Sequence, residues 1–233
     1  TTTLSLDDLR ARPAVEVAAT MECAGNGRAR FEPRAISQPW LFEAVGTARW
    51  RGTPLRPLLE EAGVDGAVEV VFRGLDRGLE GGEPAQPYAR SLPLAEALRD
   101  EVLLAYEMNG EPLPPQHGFP LRLVVPGWYG MTNVKWLASI ELAAEPFTGY
   151  QNATAYKFRR HKDDDGTPVD RMRAAQERAC LGDVGNAGAA LAEQISQRHA
   201  SFLEHVEIVS DGLQALVQSA DVEVVLQIGS DSR

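Results

Sequence analysis

The spacing of apolar and polar positions changes several times along the first 150 residues, and each change predicts an element. Residues 14–20 carry Val15 and Val17 in an alternating run that predicts a strand. It ends at Met21-Glu22-Cys23, where Ala24-Gly25-Asn26-Gly27-Arg28 supplies a glycine turn. Thr53-Pro54 predicts the start of a short helix, with Thr53 as N-cap, proline at the first helical position, and Leu55, Leu58 and Leu59 leading to Gly63. A strand is expected over residues 67–72, a short helix over 93–100, and a strand over 101–106 that runs into the tight-turn dipeptide Asn109-Gly110. Residues 121–125 read as the return strand. Residues 133–142 alternate, with Trp136, Ala138 and Ile140 on one face and Leu137 and Ser139 on the other, which predicts one more strand. Short strands interrupted by short helices make this an α+β chain with mixed sheets.

The pattern changes after the charged stretch at residues 161–166, where a boundary is expected between a domain over residues 1–165 and a tail over 166–233. Residues 173–200 are alanine-rich and predict helix, and residues 222–228 predict a final strand. No function follows for this tail. At 233 residues, 44% hydrophobic and 24% charged, the chain has the composition of one or two globular domains. Its formal net charge of -10 argues against nucleic acid as a partner, and an anionic substrate would need locally concentrated positive charge. No apolar run approaches the roughly eighteen residues of a membrane span, and the first ten residues lack the basic start and apolar stretch of a signal peptide. The expected compartment is cytoplasmic as the chain stands, or periplasmic if a leader precedes Thr1. The two cysteines, Cys23 and Cys180, form no zinc-type or CxxC spacing and no disulfide framework.

A lone cysteine is most often a small buried hydrophobe. Cys23 differs in context: it ends a strand, and two glycines after it leave room for a bulky group to approach a thiolate, a ligand suited to a soft, redox-active metal. The phrase Met21-Glu-Cys-Ala-Gly-Asn-Gly-Arg28 resembles the molybdenum-cysteine signature of the sulfite oxidase family. The run from Val102 through Tyr106-Glu-Met-Asn-Gly110 to His117-Gly-Phe-Pro-Leu-Arg122 is similar to that family in order and spacing. So are Val124-Val-Pro-Gly127, Asn133-Val-Lys-Trp-Leu137 and Phe72-Arg-Gly-Leu-Asp76. The likeness covers roughly residues 4–172.

The resemblance implies the molybdenum-cofactor domain fold, with Cys23 as protein ligand to a molybdenum held by molybdopterin. It places Asp76, His117, Arg122, Asn133, Val134 and Lys135 against the pterin. Arg122 and Lys135 suit a phosphate, and His117 and Asp76 suit the polar ring edges. Singly, Lys135 reads as an edge charge, His117 as a loop histidine and Asp76 as a turn former; their joint spacing points to one pocket. Arg28 matches a family arginine near the substrate, and Tyr156 a tyrosine beside the metal; a cation and a phenol suit an oxyanion. The implied activity is oxidation of sulfite to sulfate by oxygen-atom transfer. With no His-Pro-Gly-Gly haem motif and no flavin-type GxGxxG in the chain, the electrons would pass to an external acceptor such as a cytochrome. Nitrate or sulfoxide reduction on the same scaffold is the alternative, and an inactive cofactor-binding remnant is another.

That last alternative arises because twenty-two residues precede Cys23, where the family normally has a longer segment that helps hold the cofactor. The family also continues into an immunoglobulin-like sandwich that forms homodimers and adds an arginine to the substrate pocket. The expectation is therefore a domain short at its N-terminal side, with an atypical tail and weak cofactor retention.

Overall fold

In a computed structural model the described residues are 1–30, 32, 40–78, 85–158, 165–172 and 223–228. The chain opens with β1 (Thr2–Ser5), which turns into α1 (Leu6–Arg10) through a reciprocal cap: Asp8 N–H donates to Ser5 Oγ at 3.1 Å, and Ser5 N–H donates to the Asp8 carboxylate at 2.8 Å. Then come β2 (Val15–Glu22), β3 (Val45–Pro54), α2 (Leu55–Ala62), β4 (Glu69–Gly78), β5 (Gln86–Pro93) and α3 (Leu94–Ala97). They are followed by β6 (Leu103–Met108), β7 (Glu111–Pro112), β8 (Arg122–Val124), β9 (Leu137–Ala143), β10 (Lys157–Phe158), β11 (Thr167–Pro168) and β12 (Glu223–Ile228).

These strands make two larger sheets and a small hairpin. The first sheet has the order β1-β12-β9-β4-β5, with β12 parallel to β9 and the other pairs antiparallel. The second has β2-β3-β6, with β7 and β8 both pairing with β6; β10 and β11 form the hairpin. Phe72, Leu92 and Ile140 from the first sheet share a core with Leu104 and Leu123 from the second, and Leu55, Leu58 and Leu59 of α2 belong to it. The amphipathic spacing of α2 explains its place. A second cluster, with Trp50, Leu103, Ala105 and Val124 at its centre, collects Met21 and Phe119 at its margin. Short strands, mixed pairing and few short helices confirm the α+β class.

Several expected elements differ in detail. Thr53 is the penultimate residue of β3 and does not cap α2; its hydroxyl donates to the Leu9 carbonyl at 2.7 Å, which ties α1 to the sheet, and Pro54 stands at the cap position. The helix expected over residues 93–100 is α3 alone, because Pro93 closes β5. The strand expected over residues 133–142 begins at Leu137; Asn133 to Trp136 form an irregular bend in which Trp136 takes a φ of 48° and its carbonyl accepts from Leu75 N–H. Asn109 and Gly110 have φ values of 55° and 88°, a type I′ geometry, and turn β6 into β7. The expected tail helix over residues 173–200, and Cys180 with it, lie outside the described residues. The expected last strand is β12, placed between β1 and β9 with Leu226 in the core, so this part of residues 166–233 shares a sheet with the first 150.

Candidate cofactor and substrate site

β2 delivers Cys23 to the edge of the second cluster, and a network of backbone hydrogen bonds then holds the turn. Cys23 N–H donates to the Ala44 carbonyl at 2.9 Å, Asn26 N–H to the Cys23 carbonyl at 2.9 Å, and Gly25 N–H to Cys23 Sγ at 3.4 Å. The buried Asn26 side chain donates to Glu22 Oε1 at 2.9 Å and accepts from Ala44 N–H at 3.4 Å. Gly27 takes a φ of 86°, which suits glycine, and Arg28 follows with its N–H on the Gly25 carbonyl. The half-buried thiol therefore stands on a turn held by backbone hydrogen bonds, with the Gly25 amide N–H donating to it.

Arg122 joins three of the sequence motifs. Its side chain is 4% exposed and lies over the Trp50 ring, with the guanidinium carbon 4.6 Å from the centroid. It donates to the His117 carbonyl (3.0 Å), the Asn133 carbonyl (3.0 Å) and, from Nη2, Met21 Sδ (3.5 Å). Met21 stands two residues before Cys23, so this one cation touches the cysteine strand, the histidine turn and the Asn-Val-Lys bend. Among the described residues no carboxylate is in ion-pair contact with it, and burial pulls it down to about 10.

Lys135 reaches the Gln116 carbonyl at 2.9 Å and sits 4.1 Å from the Trp136 ring centroid. Burial, together with the Arg122 charge, lowers it, and the nearby Asp76 carboxylate opposes that shift. Asp76 moves the other way: burial raises it, against the pull of Lys135. Its Oδ1 is buried without a hydrogen-bond partner among the described residues. Gly74 and Gly118 permit this convergence. A Cβ at Gly74 would stand 2.3 Å from Asp76 Oδ1 and 2.8 Å from the Lys135 carbonyl, and one at Gly118 would stand 2.9 Å from Lys135 Cβ. The His117 ring stacks edge-on to Trp50 at 6.4 Å and helps line a cavity of about 250 Å³ with Met108, Asn109, Pro112 and Pro114.

The structure thus brings Arg122, His117, Lys135 and Asp76 together, and links Cys23 to them only through Met21, two residues before it, which meets Arg122. Asn133 and Val134 serve the frame. The Asn133 side chain accepts from Val125 N–H at 2.7 Å and donates to the Tyr129 carbonyl at 3.1 Å, and its backbone carbonyl faces Arg122. Val134 is 1% exposed in the core. Tyr156 follows a π-helical turn, Gln151–Ala155, and its described contacts are to Arg90, Gln151 and Val169. Sequence reading missed Trp50, the aromatic floor under Arg122. The signal was present in β3, where Ala48, Trp50 and Gly52 are buried and alternate with exposed Arg49 and Arg51.

The buried Arg122, facing neutral acceptors alone among the described residues, the half-buried Lys135 and the unpartnered Asp76 oxygen fit an anionic group with polar ring edges, and the Cys23 thiol suits a soft metal. The fold and these residues thus suit a protein that binds such a group. The chain belongs to the family described as the oxidoreductase molybdopterin binding domain, which residues 1–151 match. It is 41% identical to mitochondrial sulfite oxidase of Mus musculus over 182 residues, covering 75% of this chain and 33% of that protein. With sulfite oxidase of Arabidopsis thaliana the identity is 42% over 169 residues, covering 66% and 42%. With inducible nitrate reductase [NADH] 2 of Glycine max it is 40% over 147 residues, covering 59% and 16%. The sulfane dehydrogenase SoxCD of Paracoccus pantotrophus has a similar structure, with a TM-score of 0.57 at 28% identity, covering 72% of this chain and 40% of that one. The match therefore covers between about a quarter and two fifths of the length of such sulfite oxidases, 27% of that of Drosophila melanogaster and 42% of that of Arabidopsis thaliana.

Proposed function

We propose that this chain is the cofactor-binding catalytic part of an enzyme that oxidises sulfite to sulfate and passes the electrons to an external acceptor such as a cytochrome. The observation that carries the reading is Arg122, a buried cation with no carboxylate in contact among the described residues, which ties the Cys23 strand to the His117 and Lys135 segments. In this reading Cys23 is the protein ligand to molybdenum. Arg122 and Lys135 neutralise the pterin phosphate, and Asp76 and His117 hydrogen-bond the ring edges. When bound, the molybdenum-pterin group supplies the two-electron redox chemistry.

The chain's own groups supply the rest. Arg28, carried on the Cys23 turn, holds the sulfite oxyanion by its guanidinium fork. The Tyr156 phenol donates a hydrogen bond to an anion oxygen, which orients the substrate and stabilises charge. The identity to sulfite oxidases over two thirds or more of the chain supports sulfite as the substrate. The nitrate reductase likeness supports a second reading, nitrate reduction on the same scaffold.

The test is metal and pterin analysis of the purified chain, with sulfite-dependent reduction of an artificial one-electron acceptor. Molybdenum below one per chain, with sulfite turnover in proportion to it, is expected. Molybdenum with nitrate but no sulfite turnover would favour the second reading, and a chain that binds no molybdenum would sink both.

A further inference from the structure

Arg90 is a charged side chain that the readings above leave unused. It lies in β5, is 2% exposed, and its Nε is buried without a hydrogen-bond partner among the described residues. No carboxylate among those residues is in ion-pair contact with it. Nη1 donates to the Gln151 carbonyl at 2.6 Å, and Nη2 to the Val169 carbonyl at 3.3 Å. These two carbonyls belong to residues that bracket Tyr156: Tyr156 N–H donates to the Gln151 carbonyl, and Val169 N–H donates to the Tyr156 carbonyl. The Arg90 guanidinium carbon is also 5.6 Å from the Tyr156 ring centroid.

The same face of β5 reaches the cysteine turn. Tyr88, two residues earlier and therefore on the same side of the strand, donates its hydroxyl to the Met131 carbonyl at 2.6 Å. Met131 lies in the turn Gly130–Thr132, where a Cβ on Gly130 would stand 3.4 Å from the Glu22 carbonyl, one residue before Cys23. One strand face thus spans the frame of Cys23 and the frame of Tyr156.

We infer that Arg90 is a positioning residue for Tyr156: its guanidinium clamps both backbone segments that flank the tyrosine and faces its ring, fixing where the phenol presents its hydroxyl to an oxyanion. A burial cost for an uncompensated cation, visible in the lowering of Arg90 by desolvation, is consistent with a charge retained for geometry. An apolar residue in this place would pack without that cost but would remove one donor each from the Gln151 and Val169 carbonyls. The inference deepens the sulfite-oxidising reading and rests on Tyr156 serving that site.

The experiment compares Arg90→Gln, Arg90→Lys, Tyr156→Phe and the double variant Arg90→Gln/Tyr156→Phe with the parent chain. In the chain without cofactor, amide exchange at Tyr156 and Val169 is followed by NMR against the amides of β4 and β9. Arg90→Gln is expected to speed exchange at Tyr156 and Val169 by about tenfold or more while β4 and β9 stay protected, and Arg90→Lys to restore part of it. In the loaded chain, Arg90→Gln is expected to lower sulfite kcat by about tenfold or more in the Tyr156 background and to change nothing further with Tyr156→Phe. Unchanged exchange at those two amides overturns the clamp even if Arg90→Gln folds poorly, because Arg90→Lys is read the same way. If Tyr156→Phe lowers turnover and Arg90→Gln does not, the inference alone fails. Full turnover in Tyr156→Phe removes the reading of Tyr156 and the inference with it.

Discussion

At the residue scale, Arg122 is a buried charge held by neutral acceptors among the described residues. Its fork spans two carbonyls on different segments, a geometry a point-charge ammonium cannot copy. Arg122→Lys should therefore reduce molybdenum retained per chain after dialysis, with pterin affinity falling by about tenfold or more; retention equal to the parent would argue against a phosphate role. Cys23→Ser replaces a soft donor by a hard one, and sulfite turnover should drop by orders of magnitude while circular dichroism stays unchanged. Near-parental turnover would remove the ligand assignment. Asp76 offers a test by pH. Its folded-state pKa is raised by burial, so the folded chain holds that proton more tightly than the unfolded one. Its stabilising contribution is complete below the ordinary aspartate range and is lost as pH rises through the raised value. Asp76→Asn should flatten the stability profile of the unloaded chain across that acid window, and urea midpoints at a series of pH values read it out; an unchanged slope would mean that Asp76 is solvated.

At the scale of single elements, β3 is held by a close approach. A bulge between Arg51 and Gly52 brings Gly52 so near β6 that a Cβ there would meet the Leu104 carbonyl oxygen at 2.0 Å. Gly52→Ala should cost about 3 kcal/mol in chemical denaturation, and a loss near zero would mean that the bulge relaxes freely. The bulge also shows why the sequence was legible in some places and silent in others. Strands with a glycine or turn signal at their ends, such as β2 before Gly25 and β6 before Asn109-Gly110, could be read locally. β3 alternates as clearly, yet Thr53-Pro54 has the local pattern of a helix start, whereas the Thr53 hydroxyl donates to a carbonyl of α1 that is remote in sequence. The Asn133 to Trp136 bend was read as strand because its residues alternate; contacts with Leu75, Gln116 and Arg122, all distant along the chain, decide its shape instead. For the site, the resemblance supplied residue types that composition could not, and the structure added the aromatic floor Trp50 and the paired glycines Gly74 and Gly118.

At the scale of the whole molecule, a chain with a net charge of -10 sets a buried Arg122 beside a half-buried Lys135. β12 joins β1 to β9, and Leu226, 4% exposed, packs in the main core. Leu226→Ala should lower unfolding stability by about 3 kcal/mol, measured by urea denaturation, and should loosen β1 first; a shift near zero would show that β12 contributes little to the sheet. The placement of β12 has a consequence for the order in which the chain is made. All strands of the second sheet, and every pocket residue up to Lys135, leave the ribosome well before residue 223. The pocket half can therefore take shape on the nascent chain while β1 and β9 still face each other across an empty slot. Until the last strand emerges, two unsatisfied strand edges stay open to pairing with other chains, so this is the interval in which a holding chaperone would have most to protect.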